Sequence, residues 1–380
     1  MSLANFDHLK QAALTPAHAW PEIPQQARYR LQPEDFLVEE QLGFEPEGQG
    51  EHLFLWVEKR GCNTAWVAEQ LARQLQVKPL AVGFSGLKDR HAVTRQWFSV
   101  QRPGQPLPTQ LPSGEGWQTL RAALHPRKLK RGVHKANRFC LRLWLDQDSG
   151  VPIDQVQQRW QSLVQQGFPN YFGPQRFGHE GRNLDFAWAI WMNRSQAVPK
   201  KRALRSQYLS ALRSALFNAW LSEAVNNDTW HAGLPGDRFF LDQTHSQFAS
   251  TVEEFAQLQP RLASGDIHPA GPLVGKGRLT CDGPAKARDL AFFQTWEAVI
   301  QVLCDQGLAL DHRPTRLPVL APRWDWQAPW LQLDFCLPRG GFATSLLREL
   351  LQAEDAQRLS LAQNCARVPD ISETCSESTR

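Results

Sequence analysis

Long apolar runs are missing from this sequence. None of its 380 residues belongs to a stretch approaching the roughly 18 consecutive apolar positions of a membrane span. The opening MSLANFDHLKQAALTPAHAWPEIP lacks a basic start leading into an apolar core, so no secretory leader and no membrane association are expected, and the chain reads as soluble and cytoplasmic. Cysteine is sparse and poorly spaced for metal chemistry. Seven are present, at 62, 140, 281, 304, 336, 365 and 375, with no CxxC pair and no close Cys/His cluster. A zinc site is therefore unsupported, and an odd, scattered set points to free thiols in a reducing compartment. A phosphate-cradling GxxxxGK(S/T) loop is absent, which excludes that nucleotide-binding class. No charge of one sign dominates either: 42 Lys and Arg stand against 38 Asp and Glu, a formal net charge of +4. The total does not announce nucleic acid, and only local clustering can. Without an internal repeat or a heptad pattern, a monomer is the expectation.

With 42% hydrophobic residues the chain can bury a sizeable core, and its length favours two domains over one. Residues 29–38 (YRLQPEDFLV) set a turn-like Pro-Glu-Asp between extended segments, and residues 52–57 (HLFLWV) suit a strand. Val67, Ala68, Leu71 and Leu75 recur at helical spacing behind a capping Asn63 or Thr64, predicting a helix over 64–76. Strands follow over 80–84, 95–100, 119–124 and 138–145. Such consecutive runs favour an α+β fold with a mainly antiparallel sheet over a doubly wound parallel one. A more helical region starts near Val156 and Trp160 and includes 208–225 and 286–303. After the Pro-rich stretch 313–329 a strand pattern returns at 330–337, and Leu346, Leu347, Leu350 and Leu351 then fall at helical spacing. The expected layout is a first domain over 1–155, an inserted domain over 156–312, completion of the first over 313–362, and a frayed tail over 363–380.

Three segments could carry chemistry. In residues 83–97, Asp89 sits between Lys88 and Arg90, which would favour its ionised, nucleophilic form. Spacing alone is equally consistent with a solvated charged loop. The second segment holds Arg127, Lys128, Lys130, Arg131 and Lys135 just ahead of Asn137-Arg138-Phe139. Cations there can track an RNA backbone while an aromatic stacks on an unpaired base; a solvated basic hairpin is the plainer description. The third, residues 170–183, interleaves glycines, aromatics and arginines, with Gln175 and Arg176 as candidate RNA contacts, and suits RNA or a crossing between domains alike. Glu39 and Glu40 are a poor pair for a metal, because neighbours on a strand point to opposite faces. A nonenzymatic RNA-binding protein and a metal-dependent nuclease remain alternatives at this level.

An ordered series of six segments resembles the tRNA pseudouridine synthase D family: RLQPEDFLVEE (30–40), GEHLFLWVEKRGCNT (50–64), GLKDRHAVTRQW (86–97), NRF (137–139), NYFGPQRFG (170–178) and LPRGGFATSLLREL (337–350). The likeness runs from about residue 28 to 351. It implies an isomerase that converts a uridine in the D-arm region of tRNA, typically position 13, without metal or organic cofactor, on a pseudouridine-synthase core interrupted by a family-specific domain. By the same resemblance Asp89 is the catalytic aspartate, Asn137 orients it, Phe139 stacks on the target base, and Phe342 lies near the site. Arg30 falls where a basic residue, often lysine, neighbours the active site, and Lys88 joins the expected substrate contacts.

Overall fold

The computed structural model describes residues 3–357 and divides the chain into two units, Met1–Ile23 with Val151–Leu320 and Gly340–Leu351, and Pro24–Gly150 with Ala321–Arg339 and the segment beginning at Gln352. The expected tail over 363–380 lies outside the described residues, as do Cys365 and Cys375. Among the described residues no helix is long and apolar enough to cross a membrane.

The second unit is built on an eleven-stranded sheet. Its early strands are β1 (Gln26–Tyr29), β2 (Phe36–Gln41), β3 (His52–Arg60), β4 (Val82–Phe84), β5 (Val93–Gln101), β6 (Ser113–Gly114), β7 (Trp117–His125) and β8 (Ala136–Leu145). The order runs from the strand Leu320–Gln327 through Trp330–Pro338, β8, β2, β5 and β3 to β7 and β6. β3 is antiparallel to both β5 and β7, and β8 is antiparallel to both β2 and Trp330–Pro338. Parallel pairing occurs between β2 and β5 and between β1 and Gln352–Asp355. The fold is thus α+β with a mainly antiparallel sheet. The expected helix over 64–76 forms at Thr64–Gln74 and buries Val67, Ala68 and Leu71 against Leu55, Val57 and Phe98 of the sheet.

Register gives the two faces of this sheet different chemistry. Lys59, Thr94, Val38, Phe139 and Phe335 are successive cross-strand partners, so they share one face, and all five are buried. One residue along, Gln118, Glu58, Arg95, Glu39 and Arg138 line the other face. There Arg95 bridges Glu39 at 2.7 Å and Glu58 at 2.8 Å, and Arg138 reaches Glu39 at 3.1 Å and also pairs with Asp334. Glu39 and Glu40 therefore do point to opposite faces, each with its own cationic partner.

The other unit is organised by the 25-residue helix Arg202–Asn226. From Tyr208 onward its sequence (YLSALRSALFNAWLSEAV) presents apolar or small side chains on every side, as a helix surrounded by its neighbours requires. Helices Leu3–Leu14, Arg182–Trp191, Gly283–Thr295 and Glu297–Asp305 contribute to the same core. The stretch 286–303, expected to be helical, forms two helices meeting at Trp296. An antiparallel sheet of Gln247–Ala249, Arg238–Leu241, Ile267–Leu273 and Asp311–Pro314 completes this unit together with the helices Ile153–Gln166 and Ala343–Leu350. Leu212, fully buried in the central helix, should be costly to truncate: Leu212→Ala is expected to lose about 2–5 kcal/mol in urea denaturation, whereas Leu204→Ala, at an exposed position of the same helix, should change stability by less than about 0.5 kcal/mol.

Candidate active site

Asp89 lies in the loop between β4 and β5, with 44% of its side chain exposed. Arg30 approaches from the end of β1 and donates from one guanidinium nitrogen to Asp89 Oδ2 at 2.6 Å and from the other to Asp355 Oδ2 at 2.7 Å. Its guanidinium carbon stands 3.9 Å from the centre of the Phe36 ring, a cation–π contact. The Arg30 backbone is left-handed, with φ of 60°, an arrangement that non-glycine residues adopt at a cost and that clusters at functional sites.

The loop itself is braced through its main chain. Lys59, on β3 and fully buried, donates from Nζ to the Asp89 carbonyl at 2.7 Å and to the Lys88 carbonyl at 3.4 Å. Burial pulls Lys59 down to about 8, and the Asp89 charge works against that fall. Thr64 Oγ1 accepts from the Lys88 N–H at 3.0 Å and donates to Gln96, whose amide in turn donates to the Gly86 carbonyl. Lys88 Nζ meets Glu40 Oε2 at 2.9 Å, and both are buried; burial raises Glu40, and the lysine opposes that. The basic segment after β7 closes the far side. Gly132 donates to the Ser85 carbonyl at 2.8 Å, the His134 N–H donates to Ser85 Oγ at 2.8 Å, and Ser85 Oγ lies 2.6 Å from His134 Nδ1.

These contacts correct one expectation. Lys88 and Arg90 were expected to favour the Asp89 carboxylate, but Lys88 is engaged by Glu40, and Arg90 donates to the Gly61 carbonyl. The cation on Asp89 is Arg30, a residue 59 positions away in sequence. The two glycines ahead of Asp89, Gly83 and Gly86, have no positive φ. A Cβ at Gly83 would lie 2.4 Å from the Leu129 carbonyl oxygen, so the basic segment can approach β4 this closely only over a glycine.

Asn137 and Phe139 lie on β8, on the same face as Val38 and Glu40 of β2. The Asn137 side-chain oxygen is buried without a hydrogen-bond partner among the described residues, an open acceptor in the same unit as Asp89. Phe139 is largely buried, stacked on Phe335 with centroids 5.5 Å apart and edge-on to Phe36 at 6.3 Å. Of the basic residues, Arg127, Lys130, Arg131 and Lys135 are exposed and Lys128 is half-buried. Arg131 also covers the Phe84 ring at 3.8 Å. Gln175, Arg176 and Phe342 belong to the other unit. There Gln175 is exposed, Arg176 reaches Ser210 at 3.3 Å, and the Phe342 ring is 6.3 Å from that of Phe172. Sequence reasoning missed Phe36, Lys59 and Asp355. A lysine at the end of a largely apolar strand (HLFLWVEK) was the one available signal.

An exposed carboxylate presented on a braced loop of a mainly antiparallel sheet makes a candidate active site of an α+β protein, and comparison with known proteins gives its class. The family model for tRNA pseudouridine synthase D matches residues 19–186 and 191–350. A tRNA pseudouridine synthase D of Chromohalobacter salexigens is 44% identical over 85% of this chain and 92% of its own length, and that of Aeromonas hydrophila is 43% identical over 86% and 91%. A crystal structure from Methanosarcina mazei, described under the same family name, has a TM-score of 0.69 at 18% identity, covering 91% of this chain and 98% of its own; that likeness is one of fold. The chain belongs to the tRNA pseudouridine synthase D family.

Two predictions test the bracing. Lys59→Met leaves two loop carbonyls without their donor, at about 1–3 kcal/mol, and amides 86–91 should exchange hydrogen faster than in the unaltered protein. Burial, with Lys88 and Arg339 nearby, lowers His134 from 6.5 to about 4. The unfolded chain takes up this proton first, so the stability contributed by neutral His134 is complete above about 6.5 and is lost as pH falls toward 4. Urea midpoints measured from pH 7.5 to 4.5 should therefore fall less steeply for His134→Gln.

Proposed function

We propose that this chain isomerises uridine to pseudouridine at position 13, in the D-arm region of tRNA, with Asp89 as the catalytic carboxylate. The coarser activity, uridine to pseudouridine in tRNA, follows from family membership. The position rests on the resemblance carried by the six ordered segments. The observation that supports Asp89 is its combination of an exposed carboxylate, a direct Arg30 partner and a loop held rigidly through its carbonyls.

The reaction breaks the N1–C1′ glycosidic bond, turns the uracil, joins C5 to C1′ and removes the C5 proton, with no change of oxidation state. An ionised Asp89 serves either route to that end, as a nucleophile forming a covalent adduct or as a base acting on the ribose to give a glycal. Arg30 holds the carboxylate oriented. The target uridine must leave its stack, at a cost of a few kcal/mol, to be held against an aromatic plane. In this reading the ring that receives it is Phe139 or its edge-on neighbour Phe36, and the open Asn137 acceptor takes a donor from the substrate or from Asp89 once protonated. Phenylalanine has no hydroxyl, so a water or another side chain accepts the C5 proton. The basic residues Arg127, Lys128, Lys130, Arg131 and Lys135 carry tRNA phosphates, and Gln175, Arg176 and Phe342 are further tRNA contacts in this proposal.

Pseudouridine mapping by carbodiimide labelling and primer extension, with chelator present throughout, tests it. The unaltered protein should give a stop at position 13, and Asp89→Asn should lower the rate by about a thousandfold or more while still binding tRNA. Equal modification by both proteins would remove Asp89 from the chemistry.

A further inference from the structure

The sheet unit also contains an open cavity of about 430 Å³ whose lining includes none of the residues around Asp89. Its size falls within the range of about 300–1,000 Å³ typical of ligand sites. Phe44, His52, Phe54 and His125 line it. His52 and His125 are cross-strand partners at one end of β3 and β7 and are 7% and 3% exposed. Phe44, itself exposed, stacks on the His125 ring with centroids 5.2 Å apart, and Phe54 meets the same ring edge-on at 4.8 Å. The Nδ1 atoms of both histidines are buried with no hydrogen-bond partner among the described residues; Glu47 Oε1, the carboxylate oxygen near His125, is 3.8 Å away, beyond hydrogen-bonding length. Two histidines of one cavity wall thus carry Nδ1 atoms that no group among the described residues satisfies. Burial lowers both histidines from their usual 6.5, with Lys128 adding to it at His52 against Glu51, and with Glu47 opposing it and Arg127 adding to it at His125; a neutral imidazole offers one donor and one acceptor.

The mouth is cationic. Arg127 and Lys130 are exposed, and Lys128 is held by the Leu80 carbonyl at 2.5 Å. Aromatic faces, unsatisfied imidazoles and a basic rim are together the chemistry that takes an unpaired base by stacking and edge hydrogen bonds while its phosphates stay at the surface. We propose that this cavity is a second base-binding site, which receives an unstacked nucleobase of the bound tRNA other than the uridine being isomerised. The histidine wall and Asp89 do not share one base: seven residues separate His52 from Lys59 along β3, about 23 Å at about 3.3 Å per residue, so that wall is remote from the strand end that carries Asp89, while the cavity's Val133 edge borders the segment that grips Ser85. This proposal rests on the tRNA-modifying reading of the chain.

The test measures the affinity of the unaltered full-length protein and its variants for unmodified tRNA transcript, by fluorescence polarisation across a salt series, beside the modification assay. Phe44→Ala, an exposed position that should fold, is expected to raise Kd roughly five- to a hundredfold without changing the slope of log Kd against log salt. Phe44→Trp should restore affinity. Lys130→Ala should instead reduce the salt slope by about one. An unchanged Kd for Phe44→Ala, or a loss that Trp does not restore, overturns the base-binding site. If the unaltered protein binds tRNA and does not modify it, the synthase reading fails while the cavity is still judged by the Phe44 variants; if modification is intact and Phe44→Ala binds normally, only the cavity proposal fails.

Discussion

Asp89, the proposed catalytic carboxylate, is not immobilised by burial, and the loop around it is fixed through its backbone instead. Lys59 holds the carbonyls of residues 88 and 89, Thr64 the N–H of Lys88, Gln96 the carbonyl of Gly86, and Gly132 the carbonyl of Ser85. These partners come from β3, the following helix, β5 and the basic segment. Each is itself fixed by the sheet or by packing. The loop position is over-determined, and the one degree of freedom left, the carboxylate rotamer, is set by Arg30. Precision of this kind in a catalytic group is obtained from its supporting groups.

The sheet makes this possible by separating two chemistries across its thickness. Because side chains alternate, a single register places Lys59, Thr94, Val38 and Phe139 on one face and Glu58, Arg95, Glu39 and Arg138 on the other. A slip of one residue would exchange the two rows, placing the glutamate–arginine ladder beside Asp89 and Lys59 in its place on the opposite face. The alternating ladder thus supports register as well as solvation of its face. The basic segment extends the same economy, since Gly132 and His134 grip Ser85 while Arg127 and Lys130 face solvent. The proposed phosphate contacts and the position of the Asp89 loop are mechanically continuous through eight residues of chain from Arg127 to His134.

Much of this was legible in the sequence wherever periodicity or turn chemistry is local. The helix at Thr64–Gln74, the strands β3, β5, β7 and β8, and the returning strand at Trp330–Pro338 all follow from spacing. Order within the sheet was not readable, because β8 lies between β2 and a strand nearly two hundred residues later, a pairing no local pattern encodes. The site divides in the same way. Asp89 stood out through its charged neighbours, yet those neighbours face other partners, and the groups that act on it arrive from Arg30, Lys59 and Asp355 through tertiary structure. Phe36 was hidden for a different reason: a phenylalanine in a strand reads as core until a guanidinium is seen above it.

Arg30 carries two costs at once, a left-handed backbone and a largely buried ion pair, and neither favours stability. Their coincidence argues that the residue is retained for its effect on Asp89. A lysine ammonium is a point charge that would have to divide itself between two carboxylates, whereas the guanidinium gives each its own nitrogen, with Phe36 beneath the plane. Arg30 alone still leaves the cluster one charge negative, since Asp89 and Asp355 both meet it. The buried ammonium of Lys59, close to 8 and so mainly charged near neutrality, brings the sum to zero. One cation orients the carboxylate through a direct hydrogen bond, while the other holds the loop carbonyls and offsets the second carboxylate, so the two tasks fall to two separate side chains.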